Sequence, residues 1–223
     1  MKVLALGGSG GMGRFAVATC MAFDNVSEVI VADINADAAI AFATSMNEKV
    51  SGIGLNVTDT NALKSEMEKV DVVINTVGPF YKYGPPILEA AIDKSCHYLD
   101  INDDWEPTLE MLAFHEKAKS NSITAILGMG ASPGLTNMLG AAAIQELDET
   151  ETLYTGWTMD GAAPEEESSQ SGLNAAMIHA VQQMTGIQDK GEAKMVKPLK
   201  EIVVDLPGFN KFKPRIFGHP EAI

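Results

Sequence analysis

Residues 7–13 of the chain read Gly-Gly-Ser-Gly-Gly-Met-Gly, directly after the apolar run Val3-Leu4-Ala5-Leu6. A second apolar run, Val29-Ile30-Val31-Ala32, ends in Asp33, twenty residues past Gly13. This order predicts a strand, a tight turn, a helix and a second strand. Gly8, Gly10 and Gly13 fit the G-x-G-x-x-G spacing of a dinucleotide-holding turn. One glycine permits the sharp turn, one lets main chain approach a diphosphate, and one lets the helix pack closely on the strand. The N–H groups and the positive dipole end that open the helix would then face the phosphates. Gly8, Ser9, Gly10, Gly11 and Met12 are the candidate diphosphate ligands. Asp33 stands where a carboxylate can accept hydrogen bonds from a ribose diol, the other role open to it being a helix cap.

Gly7, Gly10 and Gly13 also fit the G-x-x-G-x-x-G spacing of short-chain dehydrogenases. Those enzymes need a Tyr-x-x-x-Lys pair. The residues four after Tyr81, Tyr83, Tyr98 and Tyr154 are Pro85, Ile87, Asn102 and Thr158, so that chemistry is absent.

The 223 residues suffice for a full core and for more than one domain. A formal net charge of -14 argues against nucleic acid and anionic membranes as partners, since both call for a basic face. No stretch approaches the roughly 18 consecutive apolar residues of a membrane span. Cys20 and Cys96 are too few for a disulfide framework and suggest a reducing compartment, so a cytoplasmic location is expected.

Over residues 1–128 strand and helix patterns alternate, which predicts an α/β fold with a doubly wound parallel (Rossmann) sheet. Strands are predicted at Lys2–Leu6, Glu28–Asp33, Gly52–Val57, Asp71–Thr76, His97–Ile101 and Ser122–Leu127. Helices are predicted from about Gly11 to Ala22, from the Asn35 cap to Met46, from Asp59 or Thr60 to Lys69, from Pro85-Pro86 onward, and over Trp105–Lys119. A helix over Leu135–Glu146 and a strand at Glu151–Met159 follow. The acidic stretch Asp160–Ser171 reads as a solvated loop, Gly172–Gly186 as a helix, and Lys194–Val196, Glu201–Val204 and Arg215–Phe217 as short strands. Residues 129–223 are expected to form part of a smaller second α/β domain.

In such a sheet ligands bind beyond the carboxyl ends of the strands. Asp33 ends the second strand and would repel a 2′-phosphate, and neither Arg nor Lys stands in the next few positions, so NAD is expected over NADP. Val57 and Asp59, near the end of the third strand, are candidates for the adenine edge, Asp59 alternatively being a helix cap. Thr76, Val77, Gly78 and Pro79 end the fourth strand and are candidates to flank the nicotinamide ribose. At the fifth, alternation puts Tyr98 and Asp100 on one face. They are candidates for proton transfer, or else form a buried hydrogen bond. His97 beside Cys96 lacks further ligands at zinc spacing, so no metal is expected.

The opening Val3–Gly13, the segment Val73-Ile-Asn-Thr-Val-Gly-Pro-Phe80 with Gly84-Pro-Pro, the segment Cys96-His-Tyr-Leu-Asp-Ile101 and the turn Gly130-Ala-Ser-Pro-Gly-Leu-Thr-Asn137 together resemble the saccharopine dehydrogenase-like reductases. The resemblance covers residues 1 to about 145. It implies a Rossmann domain, a second domain for substrate contacts and dimerisation, and NAD(P)-dependent hydride transfer at an amine or imine carbon of a small amino-acid-like substrate. It also implies NADP for saccharopine reductase and NAD for some relatives. Members are longer than this chain, so the substrate pocket is expected to be incomplete. Only Arg14 and Arg215 exist to clamp carboxylates, which argues against saccharopine itself. The rival readings are a dinucleotide-binding module without turnover and an NAD-dependent lyase or epimerase on the same fold.

Overall fold

Each apolar run of the first 128 residues forms a strand because its alternate side chains can be covered from both sides. In the computed structural model, which describes residues 1–156, 185–189, 192–205 and 213–223, these strands build one six-stranded sheet. Its strands are β1 (Lys2–Leu6), β2 (Glu28–Asp33), β3 (Val50–Gly54), β4 (Val72–Asn75), β5 (His97–Asp100) and β6 (Ala125–Ile126). The order β3-β2-β1-β4-β5-β6 is parallel throughout, which is the doubly wound arrangement expected.

Alternation along β1 and β2 divides the core. Leu4, Leu6, Ile30 and Ala32 pack on one face with Leu63 and Met67 of α3 (Thr60–Met67), Ile87 and Leu88 of α4 (Phe80–Asp93), and Met111 of α5 (Trp105–Leu112). Val3, Ala5, Val29 and Val31 pack on the other with Val17 and Cys20 of α1 (Gly11–Cys20) and Ala39 and Ala43 of α2 (Ala36–Ser45). Each fully buried Val or Leu here contributes roughly 1.5–3 kcal/mol.

Four expectations need correction. The third strand, expected over residues 52–57, runs Val50–Gly54 and ends three residues before Val57, while the Asp59 carboxylate takes the cap role open to it, accepting from the Asn61 and Ala62 N–H groups at the start of α3. Helix α4 begins at Phe80, with Pro79 as its N-cap, so Pro85 and Pro86 lie inside it. The carbonyls four residues earlier belong to the exposed Tyr81 and Lys82, where water can replace the two lost donors. The helix expected over Trp105–Lys119 is two, α5 and α6 (His115–Ser120). Finally, Glu151–Gly156 is not a strand, and Thr185 and Gly186 belong to β7 (Thr185–Asp189), paired antiparallel with β8 (Glu192–Val196). The expected acidic loop, and the expected helix up to residue 184, lie outside the described residues. Helix α7 (Leu135–Gln145) forms as expected, and Glu201 and Arg215 are joined by an isolated bridge.

Candidate dinucleotide site

The ends of β1, β2, β4 and β5 lie nearly level, because Leu6 is in register with Ala32 and Asn75, and Asn75 with Asp100. The glycine loop springs from this edge. The N–H groups of Gly7 and Gly8 both donate to the Ala32 carbonyl, at 2.9 and 3.3 Å. Gly7 turns the chain with φ of +70°, a conformation that favours glycine. At Gly13 the constraint is space, since a Cβ there would stand 2.2 Å from the Gly7 carbonyl oxygen. Both alternative glycine spacings therefore have structural content, Gly7 for the turn and Gly13 for contact between helix and loop. Gly10 caps α1 with extended backbone. No side chain caps this helix, and its first turn carries no acidic residue, so its opening N–H groups are available to an anion.

Asp33 is not the cap of α2. Asn35 takes that role, accepting from the Ala38 N–H. The Asp33 carboxylate instead accepts from the Ser9 hydroxyl at 2.7 Å and from the Asn35 N–H at 3.2 Å. This places a carboxylate against the glycine loop, beside the diphosphate candidates. Val57 is half-buried against the core, so neither it nor Asp59 extends the edge of the sheet itself.

At the end of β4, Thr76 braces the loop from the opposite side. Its hydroxyl is 2.9 Å from the Leu6 carbonyl and 3.2 Å from that of Gly7. Val77 donates its N–H to Asn75 Oδ1. A Cβ on Gly78 would meet nothing within 4 Å, so that position borders open space before Pro79 caps α4.

Beneath this edge runs a closed polar chain. Asn75 Nδ2 donates to the Tyr98 hydroxyl at 3.0 Å, and that hydroxyl donates to Asp100 Oδ2 at 3.0 Å. Asp100 Oδ1 accepts from the N–H groups of Asn102 and Gly128, at 3.1 and 2.7 Å. Tyr98 and Asp100 share a face as alternation requires, with exposures of 0% and 1%. Burial is the main cause that raises the Tyr98 phenol well above its ordinary value, and the Asp100 charge adds to it. Burial likewise raises Asp100, against the lowering effect of the Gly128 and Asn102 N–H groups and the Tyr98 hydroxyl. The chain ties β4, β5 and the segment after β6 into one rigid edge. Asn75 and Asn102, both 0% exposed, escaped sequence reading as functional positions. The signal available was an amide closing the apolar run Val72-Val73-Ile74.

A second cluster joins distant parts of the chain. The Ser132 hydroxyl donates to Glu221, and the Thr136 hydroxyl stands 3.3 Å from the same carboxylate oxygen. His219 Nδ1 lies 3.3 Å from the Ser132 hydroxyl and 3.8 Å from Glu221. Burial pulls the His219 imidazole down, but the Glu221 carboxylate more than offsets this and holds it above the ordinary 6.5. Burial pushes Glu221 up, while its bonds from His219 and Ser132 hold it, on balance, below the ordinary 4.5. The His219 contribution is complete below 6.5 and is lost as pH rises through the higher folded value. The Glu221 contribution is complete above 4.5 and is lost as pH falls through the lower folded value. Amide exchange at Ala131–Thr136 should therefore be slowest between about 4.5 and 6.5, relative to the intrinsic rate, and faster on both sides. A profile that stays flat from well below 4.5 to well above 6.5 would show that the pair does not hold the contact.

An open concavity of about 860 Å³ lies away from the glycine loop, along β6 and α7, lined by Met111, Leu127, Pro133 and Met138 among others. Among the described residues no group of three or more His, Cys, Asp or Glu could hold a metal, and no helix is long and apolar enough to cross a membrane.

Comparison with known proteins agrees with this geometry. The probable mitochondrial saccharopine dehydrogenase-like oxidoreductase of Arabidopsis thaliana is 27% identical over 132 residues, covering 50% of this chain and 29% of that protein. The saccharopine dehydrogenase-like oxidoreductase of Homo sapiens is 25% identical over 164 residues, covering 71% of this chain and 35% of that protein. The chain thus spans about a third of the length of these relatives. Apo saccharopine dehydrogenase (L-Glu forming) from Saccharomyces cerevisiae superposes with a TM-score of 0.57 at 26% identity, over 65% of this chain and 31% of that one. These relatives carry the names of oxidoreductases. The family described as "Saccharopine dehydrogenase NADP binding domain" matches residues 3–126, more than half of the chain, and the chain belongs to that family.

Proposed function

We propose that the chain binds a nicotinamide dinucleotide across the ends of β1, β2 and β4, as the cofactor-holding part of an oxidoreductase acting at an amine or imine carbon of a small amino-acid-like substrate. The observation that carries this reading is the uncapped start of α1 behind the glycine loop, with the Asp33 carboxylate hydrogen-bonded to that loop. In the proposal Gly8–Met12 hold the diphosphate and Asp33 holds the adenosine ribose. Val57 and Asp59 border the adenine, and Thr76–Pro79 flank the nicotinamide ribose. The bound cofactor supplies the hydride chemistry, and the protein supplies position and electrostatics. Tyr98 and Asp100, expected as a proton relay, are sealed from solvent. They act here as positioning residues that hold the ends of β4 and β5.

Residues 1–128 form the cofactor domain of the proposal, and residues 129–223 contribute to a second domain for substrate and for homodimer contacts. The exposed apolar residues Leu135, Met138 and Leu139 of α7 support the dimer. The free, buried thiols of Cys20 and Cys96 support a reducing compartment such as the cytoplasm.

NAD is favoured over NADP on the Asp33 charge. Calorimetric titration with NAD, NADH, NADP and NADPH tests the reading. Binding by at least one of the four is expected, and Asp33→Ala should weaken NAD about tenfold, the loss of one charge-assisted pair of ribose contacts. No binding of any of the four overturns the proposal. A second reading, a dinucleotide-binding module without turnover, is favoured by the sealing of Tyr98 and Asp100, the expected proton relay, from solvent. Binding without reduction of NAD or NADP across a panel of amino acids would select it.

A further inference from the structure

The adenosine end of the proposed site holds a cation that its anion does not use. Arg14, in the first turns of α1, donates its Nε–H to the Ser9 carbonyl at 2.8 Å. Its guanidinium lies over the Phe42 ring of α2, 5.1 Å from the centroid, and Phe42 is itself packed against the core. Ser9 is also the residue whose hydroxyl donates to Asp33. One residue therefore stands between the Asp33 carboxylate and one of the two arginines in the sequence.

Asp33 and Arg14 nevertheless form no ion pair among the described residues. Of the five N–H donors of the guanidinium, only Nε–H has an acceptor there. The terminal N–H groups form a planar fork of the geometry that fits phosphate. The ring beneath fixes the plane of that fork, so less rotamer freedom is lost when an anion docks. The arrangement has two faces: a carboxylate suited to a ribose diol, and beside it an unspent guanidinium suited to the same ribose when it carries a phosphate.

We infer that Arg14 is the 2′-phosphate ligand of this chain, and that it admits NADP despite Asp33. The inference rests on the dinucleotide reading above and deepens it. It assigns cofactor choice to a residue on α1, whereas the positions following Asp33, Ile34 and Asn35, offer no cation.

The test compares wild type, Arg14→Gln and Arg14→Lys by calorimetry with NAD, NADP, 5′-AMP and 2′,5′-ADP. Arg14 is exposed and, among the described residues, its only side-chain hydrogen bond is to the Ser9 carbonyl, so both variants should melt with wild type. Expected is a loss of tenfold or more for NADP and 2′,5′-ADP in Arg14→Gln, with NAD and 5′-AMP changed less than twofold. Arg14→Lys should recover part of the loss, since it restores the charge without the fork. Equal losses for both ligand pairs would mean that Arg14 acts on the diphosphate or on the loop, and would overturn the assignment. So would wild-type binding of NAD with no binding of NADP. Wild-type binding of no dinucleotide would fail the underlying reading and the assignment together.

Discussion

Asp100→Ala is expected to destabilise the protein by about 3–5 kcal/mol, lowering the melting temperature by roughly 10 °C. The cause is a set of buried donors that lose their acceptor at once: the Tyr98 hydroxyl and the N–H groups of Asn102 and Gly128. Each orphaned buried donor costs about 1–3 kcal/mol, and the three share one cavity, so the costs do not simply add. Asp100→Asn separates charge from hydrogen bonding. Its Oδ1 keeps both main-chain bonds, while its amide meets a hydroxyl that already accepts from Asn75. A loss of about 1 kcal/mol follows at neutral pH, because the Tyr98 proton has no acceptor. Burial holds the Asp100 carboxyl above 3.8, so its stabilising contribution is complete below 3.8 and falls away as pH rises through the folded value. The melting gap between wild type and Asp100→Asn should therefore widen on acidification from neutral pH. Melting of Asp100→Ala within 3 °C of wild type would sink the account of this network.

Gly13→Ala is expected to cost about 3 kcal/mol and to weaken dinucleotide binding at least tenfold. The added methyl would stand 2.2 Å from the Gly7 carbonyl oxygen and 2.6 Å from Gly8 Cα. Both are main-chain atoms of the loop, so neither can turn aside as a long side chain would. Relief requires α1 to move off the loop, which displaces the helix start from the diphosphate candidates. Gly10→Ala is the control, since a Cβ there has a single close neighbour, the Gly7 carbonyl oxygen at 3.2 Å. Its melting temperature should stay within a few degrees of wild type. Thermal melts and calorimetry on both variants decide the matter: equal melting of Gly13→Ala and wild type would refute close packing as the reason for glycine at this position.

The alternation of apolar runs with helix patterns carried the fold. Runs such as Val3–Leu6 and Val29–Ala32, buried on both faces, can be satisfied only inside a sheet with helices on each side, and the Asn35 cap is a local signal of three residues. The glycine loop was legible for the same reason, since a turn and a close approach are local demands on residue type. Helix α4 was misjudged because proline weighs heavily in local propensity, whereas its two lost bonds fall on the exposed Tyr81 and Lys82. Asp59 offered two roles in the sequence, and the structure shows the cap, with β3 stopping three residues before Val57.

What only the tertiary structure decided lies between elements far apart in sequence. Ser9 meets Asp33, Arg14 meets Phe42, Thr76 meets the carbonyls of Leu6 and Gly7, and Ser132 meets Glu221. Periodicity records which face of an element is buried, but not which polar group on another element awaits it there. Sequence therefore determined the sheet, its order of elements and the glycine turn after β1. Packing decided that Tyr98 and Asp100 would be closed into a hydrogen-bonded chain, and that a guanidinium would stand one residue away from Asp33.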